Sequence, residues 1–378
     1  MSTELNIAID ASFLALPNSG IGRYSTNLVR EFAALQSPHR IFLYTDRPFQ
    51  LQFPLPEHWT VRTGNQLILR ILSILRLRIA FEQVVFPAWA RKDGIDVYWS
   101  PINHLPVLLP SHIRKVFTLH DIVCKRFPQT VPRRLRAIEA LLVPLSLRIA
   151  DRVITDAQFT RSEVLAVFPE AKGKIDVVYL ASNLRAEGET GSCPVSIPYF
   201  LFVGSNEPRK NLKRLLQAYI QYRKLSPSPI DLVIAGTYQW GEFSVIDFIQ
   251  TNDLQPWVHV IQNADDTVLR ALYAHAQALV MVSIYEGFGL PLVEAMQWAI
   301  PLIASNNSSV AEIAGDAALL VDPYDTDAIA QALRRMAEDP AIHSELACKS
   351  RIRGHQFSWK QAAAEVMASI VGDPAVEE

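Results

Sequence analysis

The stretch Leu279–Ser305, LVMVSIYEGFGLPLVEAMQWAIPLIAS, decides the fold class of this chain. It predicts a buried strand over Ala278–Ser283, a loop that contains glycine, a short helix that begins at Pro291 and a second buried strand from Pro301. A strand, a helix and another strand within so few residues are typical of a parallel sheet covered by helices. The sequence therefore predicts an α/β fold.

The loop of this stretch, Gly287-Phe288-Gly289-Leu290, predicts an anion site. Two glycines let the backbone turn its N–H groups outward, and Pro291 suits the first turn of a helix. Because the first N–H groups of a helix lack partners and carry partial positive charge, a helix start of this kind binds phosphate well.

Two carboxylates bracket the loop. Glu286 precedes the glycines, and Glu294 follows eight residues later. Ionised carboxylates accept hydrogen bonds from hydroxyl groups, so their combination with a phosphate site indicates a sugar nucleotide as ligand. The alternative is that Glu286 is a solvated loop acid and that Glu294 only complements the helix dipole.

The string YEGFGLPLVEAM, followed by PLIAS and SSVAEIAGDAALLVDP, resembles the signature of the family 4 retaining glycosyltransferases. In that family, two glutamates separated by seven residues mark the donor site, and Glu286 and Glu294 match them. The resemblance implies the GT-B architecture, in which two Rossmann-like, doubly wound domains face each other across a cleft. One departure is Ala299, where the family usually has glycine.

Composition bounds the class of protein. With 378 residues, 49% of them hydrophobic, the chain is long enough for two domains with separate cores. The 36 basic and 38 acidic residues nearly balance, so no nucleic-acid partner is predicted. Cys124, Cys193 and Cys348 are far apart, which fits a reducing compartment. Since no signal peptide and no apolar run of about 18 residues is present, we expect a cytoplasmic protein that touches membrane at most peripherally.

The segment Ala181–Ser196 is polar, contains glycine and proline and has no periodicity, which predicts a domain boundary. We therefore expect an N-terminal domain over 1–182 and a C-terminal domain over 197–355. The resemblance assigns the acceptor to the first and the donor to the second. It also implies that a terminal helix within 356–378 packs back on the first domain.

A glycine pair, Gly20-Ile21-Gly22, precedes a helix predicted over Arg23–Leu35. Such a pair is found in dinucleotide-binding turns, where the glycines follow the strand directly. Here nine residues separate the strand Leu5–Asp10 from the first glycine. The resemblance favours an acceptor or phosphate loop, and an NAD-dependent oxidoreductase is the alternative.

His120 and Asp121 directly follow a predicted strand, Lys115–Leu119, and His104 follows another. Ligands of open α/β sheets bind at the carboxyl ends of strands. A histidine there can donate to a sugar hydroxyl or a leaving phosphate, and a neighbouring aspartate can fix its tautomer. The resemblance includes a histidine-aspartate motif at this position, so the predicted catalytic residues are His120, Asp121 and Glu286.

The loop GSNEPRKNL, which contains Arg209 and Lys210, resembles the family's loop that contacts the donor diphosphate. Departure of a diphosphate develops negative charge, which fixed cations stabilise without a metal. The alternative is a solvated turn. Ile261 and Asn263 lie where the resemblance places the base-binding loop, with Asn263 replacing the usual glycine.

Asp325-Thr326-Asp327 has the composition of a manganese-binding triplet, but it stands at the start of a predicted helix, where aspartate acts as a cap. We therefore expect no metal and no cofactor apart from the nucleotide-sugar substrate.

Two segments, 67–91 and 133–152, place arginines among leucines and isoleucines. Basic amphipathic helices bind anionic bilayers. Helices of this kind also commonly pack on the core of their own domain. The two segments are therefore expected either to contact a membrane surface peripherally or to pack on the core of their own domain.

The predicted activity is retaining, metal-independent transfer of a hexose from a nucleotide diphosphate donor. The combination of motifs looks most like mannosyltransferases of bacterial polysaccharide assembly. This implies GDP-mannose as donor and a saccharide or lipid-linked saccharide as acceptor. The alternatives are a UDP- or dTDP-sugar donor, an oxidoreductase, or a non-catalytic sugar-nucleotide-binding protein. The residues expected to bind the donor are Arg209, Lys210, Gly287, Phe288, Gly289, Leu290, Glu294, Ile261 and Asn263.

Overall fold

The computed structural model describes residues 4–372 except 18, 36, 65–77, 185, 187–190, 196–197 and 237–242. Contacts within it divide the chain into two compact units. The first consists of residues 1–125, 132–180 and 359–378, and the second of residues 126–131 and 181–358.

The first unit is built on a parallel sheet with seven strands in the described residues. These are β1 (Asn6–Asp10), β2 (Arg40–Thr45), β3 (Thr60–Thr63), β4 (Val97–Ser100), β5 (Arg114–Thr118), β6 (Arg152–Thr155) and β7 (Ile175–Val177). They lie in the order β3-β2-β1-β4-β5-β6-β7. The helices are α1 (Gly20–Ala34), α2 (Arg78–Asp93), α3 (Val123–Arg126), α4 (Arg133–Ile149) and α5 (Gln158–Val167).

The second unit repeats this plan with a six-stranded parallel sheet. Its strands are β8 (Tyr199–Val203), β9 (Asp231–Ala235), β10 (Val258–Ile261), β11 (Ala278–Met281), β12 (Leu302–Ser305) and β13 (Ala318–Val321). They lie in the order β10-β9-β8-β11-β12-β13. The helices are α6 (Leu212–Leu225), α7 (Val245–Thr251), α8 (Asp266–His275), α9 (Leu290–Gln297), α10 (Ser308–Ala314), α11 (Thr326–Glu338) and α12 (Pro340–Gly354). The predicted α/β architecture of two parallel sheets is confirmed.

The central strands are buried along most of their length, as in sheets that helices cover on both faces. Every residue of β11 and β12 is buried, as is every residue of β4. In the second unit, Phe200 of β8 belongs to the same core cluster as Leu215 of α6 and Ile329 of α11. The continuous apolar runs of the sequence therefore become the middle layer of each unit.

The final helix, α13 (Trp359–Val371), belongs to the first unit. Its end is fixed by Arg114, which donates to the carbonyl oxygens of Ile370 at 3.0 Å and Ser369 at 3.2 Å. These bonds satisfy carbonyls that the end of a helix leaves without partners. Among the described helices, none is both long and apolar enough to cross a membrane.

The strands predicted at Leu5–Asp10 and Lys115–Leu119 are observed at Asn6–Asp10 and Arg114–Thr118, each within one residue of its predicted bounds. The predicted start of the first helix at Arg23 is wrong, since α1 already begins at Gly20. The Ser19 hydroxyl accepts from the backbone N–H of Gly22 at 3.0 Å and caps the earlier start. Residues 67–77 of the predicted segment 67–91 lie outside the described residues, and the remainder belongs to α2.

The end of α9 shows why the family usually has glycine at the position of Ala299. Ala299 has a φ of 52°, in the left-handed region. The N–H of Ile300 bonds to the carbonyl of Ala295, and the N–H of Ala299 to that of Met296. This paired pattern is the Schellman motif, which normally has glycine at the left-handed position. Alanine is therefore strained here.

Replacing Ala299 with glycine should raise the free energy of unfolding by about 0.5–1 kcal/mol. Relief of the left-handed strain, about 1–2 kcal/mol, exceeds the added entropy of an unfolded glycine. Chemical denaturation of the purified variant measures the change. The matched control, Ala295→Gly within α9, should instead lower stability by about 1 kcal/mol or more, and a loss of stability in Ala299→Gly would contradict the strain argument.

Candidate functional site

The strand order of the second unit reverses between β8 and β11, which lie side by side. In open parallel sheets, ligands bind beside the carboxyl ends of the strands at this reversal. The segment after β8 carries Arg209 and Lys210, and the segment after β11 carries Glu286. The topology thus brings together residues that are far apart in sequence.

Glu286 forms ion pairs with both cations. Its Oε2 lies 2.5 Å from Arg209 Nη1, and its Oε1 lies 2.6 Å from Lys210 Nζ. Arg209 Nε also contacts Glu207 Oε2 at 2.8 Å. The four side chains form one cluster in which two positive charges balance two negative ones, and Glu286 is only 5% exposed.

The cations decide the charge state of Glu286. Burial alone would raise its pKa, but the charges of Arg209 and Lys210 outweigh burial and lower the pKa from 4.5 to about 2. Glu286 is therefore an ionised carboxylate at neutral pH. As an acceptor-only group, it can receive hydrogen bonds from hydroxyls as well as from its cations.

Backbone contacts fix the two loops to each other. The N–H of Ile284 donates to the carbonyl of Arg209 at 2.7 Å. Asn211, left-handed with a φ of 63°, donates through its side-chain amide to the carbonyls of Val282 at 3.0 Å and Pro323 at 2.6 Å. These bonds hold Arg209 and Lys210 in a short 3-10 turn against the loop after β11.

The glycine loop leads into α9, which begins at Leu290, one residue before the predicted start at Pro291. Gly289, with a φ of 104°, is the N-cap of this eight-residue helix. The hydroxyl of Ser309 donates to the carbonyls of Glu286 at 2.9 Å and Phe288 at 3.1 Å. Carbonyls of the loop are thus bonded to the protein, a local arrangement that suits an anion site at the helix start.

Glu294 lies within α9 and is 6% exposed. Its Oε2 accepts a hydrogen bond from the hydroxyl of Tyr273 at 2.9 Å. The two family glutamates therefore have different environments. Glu286 is paired with cations, whereas Glu294 is bonded to a neutral phenol.

Ile261 and Asn263 end β10 and begin the following loop. Asn263 has a φ of 54°, a left-handed conformation that glycine adopts freely and asparagine tolerates. Asparagine can therefore replace glycine here without changing the course of the backbone. The predicted base-binding role of this loop stays a prediction.

In the first unit, His120 follows β5 and lies beside Asp156, which follows β6. Nδ1 of His120 is 2.6 Å from Asp156 Oδ2, and Nε2 is 3.0 Å from the carbonyl oxygen of Pro101. Both ring nitrogens thus face acceptors, an arrangement that favours the doubly protonated ring. Burial lowers the pKa of His120, but Asp156 and Pro101 outweigh it, and the pKa lies above its ordinary value.

The expectation that Asp121 fixes the tautomer of His120 is wrong. Asp121 Oδ1 instead accepts from the backbone N–H of Val123 at 2.9 Å, at the start of α3. Adjacent residues after a strand point in different directions, whereas Asp156 and His120 meet because β5 and β6 are parallel neighbours.

Two further residues follow β4. The side-chain oxygen of Asn103 accepts from the backbone N–H of His120 at 3.0 Å. Nε2 of His104 lies 3.5 Å from Oε2 of Glu82.

The predicted loop Gly20-Ile21-Gly22 is the first turn of α1 and not a loop. A side chain at Gly22 would place its Cβ 1.9 Å from the carbonyl oxygen of Leu16, so the packing itself requires glycine. Gly20 has open space around it. Gly22 therefore has a structural explanation that needs no dinucleotide, whereas the packing gives none for Gly20.

The interpretation of Asp325 as a helix cap is confirmed, since its Oδ1 accepts from the N–H of Ala328 at 2.9 Å. Within the described ranges, no group of three or more histidine, cysteine, aspartate or glutamate side chains is arranged to hold a metal ion.

Three residues of these clusters were not predicted from the sequence: Glu207, Asp156 and Tyr273. The signal for Asp156 was present, because it directly follows β6, which contains the apolar run Val153-Ile154 and lies beside the strand of His120. Tyr273 carried no such signal, since a tyrosine inside an amphipathic helix is usually a core residue.

Comparison with protein families gives two matches. Residues 18–186 match the model described as Glycosyltransferase Family 4, and residues 194–353 match the model described as Glycosyl transferases group 1. The arginine, lysine and glutamate cluster lies within the second match.

A search of curated proteins finds similarity to O-antigen chain mannosyltransferase B of Escherichia coli. The two are 31% identical over 93% of this chain and 95% of that protein. Among solved structures, sucrose-phosphate synthase from Thermosynechococcus elongatus superposes with a TM-score of 0.74 at 20% identity, covering 96% of this chain and 98% of that one. HepE from Anabaena, in complex with UDP and glucose, gives 0.69 at 17% identity, covering 97% and 99%. These similarities confirm the predicted GT-B fold.

Replacing Asp156 with asparagine should lower the pKa of His120, because the amide keeps the shape of the carboxylate without its charge. NMR titration of the His120 ring protons measures the shift. In the native protein the pKa is raised, so the pair stabilises the fold fully below the ordinary value of 6.5 and loses this contribution as the pH rises through the raised pKa. The stability lost as the pH rises through the pKa of His120 should be smaller in Asp156→Asn than in the native protein.

Asp121→Asn is the matched control and should shift the His120 titration less, since Asp121 bonds the backbone of α3. An unchanged titration of His120 in Asp156→Asn would contradict the pairing.

Proposed function

Because the chain belongs to the family 4 glycosyltransferases, we propose that it transfers mannose from GDP-mannose to a hydroxyl of a saccharide or lipid-linked saccharide in bacterial polysaccharide biosynthesis, with retention of configuration. The observation that carries this proposal is the cluster of Arg209, Lys210 and Glu286 beside the start of α9. It supplies cations and a carboxylate at one edge of a parallel sheet.

The donor diphosphate binds at this cluster. In the ligand-free protein, Arg209 and Lys210 are neutralised by Glu207 and Glu286. A diphosphate brings charge that competes with these carboxylates and that also interacts with the backbone N–H groups of Gly287–Gly289. As the bond to the sugar breaks, charge grows on the leaving phosphate, and the two fixed cations stabilise it. The reaction therefore needs neither a metal ion nor a cofactor.

The carboxylates of Glu286 and Glu294 bind hydroxyl groups of the donor. Glu286, released in part from its cations, accepts from hydroxyls of the transferred sugar, and Glu294 accepts from those of the ribose. Ile261 and Asn263 lie beside the base. His120 contributes a fixed positive charge, since both of its ring nitrogens face acceptors.

Mannose is supported by the relative that is 31% identical and is named a mannosyltransferase. GDP as the nucleotide is supported only by the resemblance of the sequence motifs to mannosyltransferases. A UDP-sugar is the competing donor, because a structural neighbour was solved with UDP. The oxidoreductase alternative loses its main support, since Gly22 is explained by packing against Leu16.

GDP should raise the melting temperature of the protein more than UDP or dTDP does, by mass action on the folded state. A thermal-shift panel measures this, followed by release of the nucleoside diphosphate from nucleotide sugars with membrane extract as acceptor. A panel in which UDP stabilises the protein most would remove mannose from the proposal, and a protein that binds donor without release or hydrolysis would be a binding protein.

Arg209→Ala should abolish the thermal gain from GDP and slow transfer by roughly a hundredfold or more. The quantity compared is the rise in melting temperature on adding GDP, and not the melting temperature of the variant alone. Arg209→Ala leaves buried Glu286 with one cation fewer, which lowers the stability of the variant by itself. The matched control is Arg223→Ala, which removes an arginine stacked 3.8 Å from the Trp257 ring and should keep the gain. An undiminished gain in Arg209→Ala would refute the phosphate role.

We further propose that α4 contacts an anionic membrane surface on the cytoplasmic side. One face of this helix exposes Leu141 and Leu145, with 63% and 37% of their surface accessible. Exposed arginines flank them at Arg134 and Arg148. Leucines that enter the interface and arginines that meet anionic head groups are the pattern of an interfacial helix.

The double variant Leu141→Ser, Leu145→Ser should bind phosphatidylglycerol vesicles roughly tenfold more weakly, because two apolar side chains no longer leave water. Vesicle co-sedimentation measures binding. Leu225→Ser, an equally exposed leucine of the second unit, is the control and should bind normally. Equal binding of the native protein to neutral phosphatidylcholine vesicles would argue against the charge contribution.

A further inference from the structure

Tyr273 and Glu294 form a buried pair that links two helices of the second unit. Tyr273 belongs to α8 and is fully buried, and its hydroxyl lies 2.9 Å from Glu294 Oε2 in α9. An ionised carboxylate only accepts hydrogen bonds, so the tyrosine must be the donor. The direction of this bond is therefore fixed.

The position of the tyrosine hydroxyl is itself constrained. The ring of Tyr273 is stacked on the ring of Trp298, with centroids 5.3 Å apart and planes 12° from parallel. Trp298 is the C-cap residue that directly follows α9. Tyr273 is thus held at its face by one end of α9 and at its hydroxyl by a carboxylate from the middle of the same helix.

Such a pair restricts a side chain that otherwise has several rotamers. A glutamate has three rotatable bonds, and a buried carboxylate needs donors to offset the loss of water. The Tyr273 bond satisfies part of that need and selects one orientation. A carboxylate accepts about four hydrogen bonds in all, so binding Tyr273 does not by itself exhaust Glu294.

We propose that Tyr273 is a positioning residue for ribose recognition: it holds the Glu294 carboxylate in the orientation that accepts from the 2′- and 3′-hydroxyls of the donor nucleotide. The inference rests on the proposed role of Glu294 as the ribose-binding residue. Tyr273 does not touch the substrate in this arrangement, and its effect passes through Glu294. Loss of its hydroxyl should therefore weaken recognition of the ribose specifically.

The test uses Tyr273→Phe in the full chain and compares GDP with 2′-deoxy-GDP by calorimetry. If UDP binds best in the panel, UDP and 2′-deoxy-UDP replace them. The native protein should prefer the ribonucleotide by roughly tenfold to a hundredfold, as expected for a hydrogen bond to a charged group. In Tyr273→Phe the preference should fall toward one, mainly through weaker binding of the ribonucleotide.

Tyr219→Phe is the matched control. Tyr219 is equally buried in the same unit, and its hydroxyl bonds to the carbonyl oxygens of Ile230 and Trp257. This variant loses a comparable buried hydroxyl but should keep the full preference for ribose. A general loss of stability would lower the melting temperature of both variants alike, whereas the ribose preference should change in only one.

Glu294→Gln distinguishes a failure of the proposed role of Glu294 from a failure of the positioning role of Tyr273. If this variant keeps the full ribose preference, the proposed role of Glu294 is wrong. If Glu294→Gln loses the preference and Tyr273→Phe keeps it, the role of Glu294 stands and the positioning role of Tyr273 is refuted. Loss of the preference in both variants, with Tyr219→Phe unchanged, supports the proposal.

Discussion

The ion pairs of Glu286 with Arg209 and Lys210 are the interaction on which the candidate site depends. They join the segment after β8 to the segment after β11, at the point where the strand order reverses. A buried carboxylate at this place would be costly alone, and two cations would repel each other without it. The same balance keeps the two cations in place beside the loop after β11.

Neutral polar side chains form hydrogen bonds to the loop that carries Glu286. Ser305 donates to the carbonyl of Ser283 at 2.6 Å, and Asn307 to that of Ile284 at 3.2 Å. Together with the bonds from Ser309, they satisfy successive carbonyls of the loop after β11. The loop is therefore fixed by hydrogen bonds from β12 and α10, and its glycines serve the turn rather than mobility. A site with this kind of support loses little freedom when a ligand binds.

In the first unit, residues that follow the carboxyl ends of the strands hold a histidine ring. Pro101, His120 and Asp156 follow three neighbouring strands, and together they hold an imidazole between a carboxylate and a carbonyl oxygen. Tyr24 packs edge-on against this imidazole at 4.9 Å, and its hydroxyl bonds to Thr118 at 2.9 Å. The result is an imidazole with a fixed orientation at a strand end, where a freely rotating histidine would have none.

The sequence by itself determined the alternation of strands and helices, the glycine turn at the start of α9 and the family to which the chain belongs. These follow from local rules, because apolar runs, glycines and the position of Pro291 act over a few residues. Only the tertiary structure decided which charges meet. It paired His120 with Asp156 and not with its sequence neighbour Asp121, joined Glu294 to Tyr273, and placed Gly22 against Leu16. Such contacts depend on strand order and helix packing, and the same local sequence is compatible with several partners until the sheet has formed.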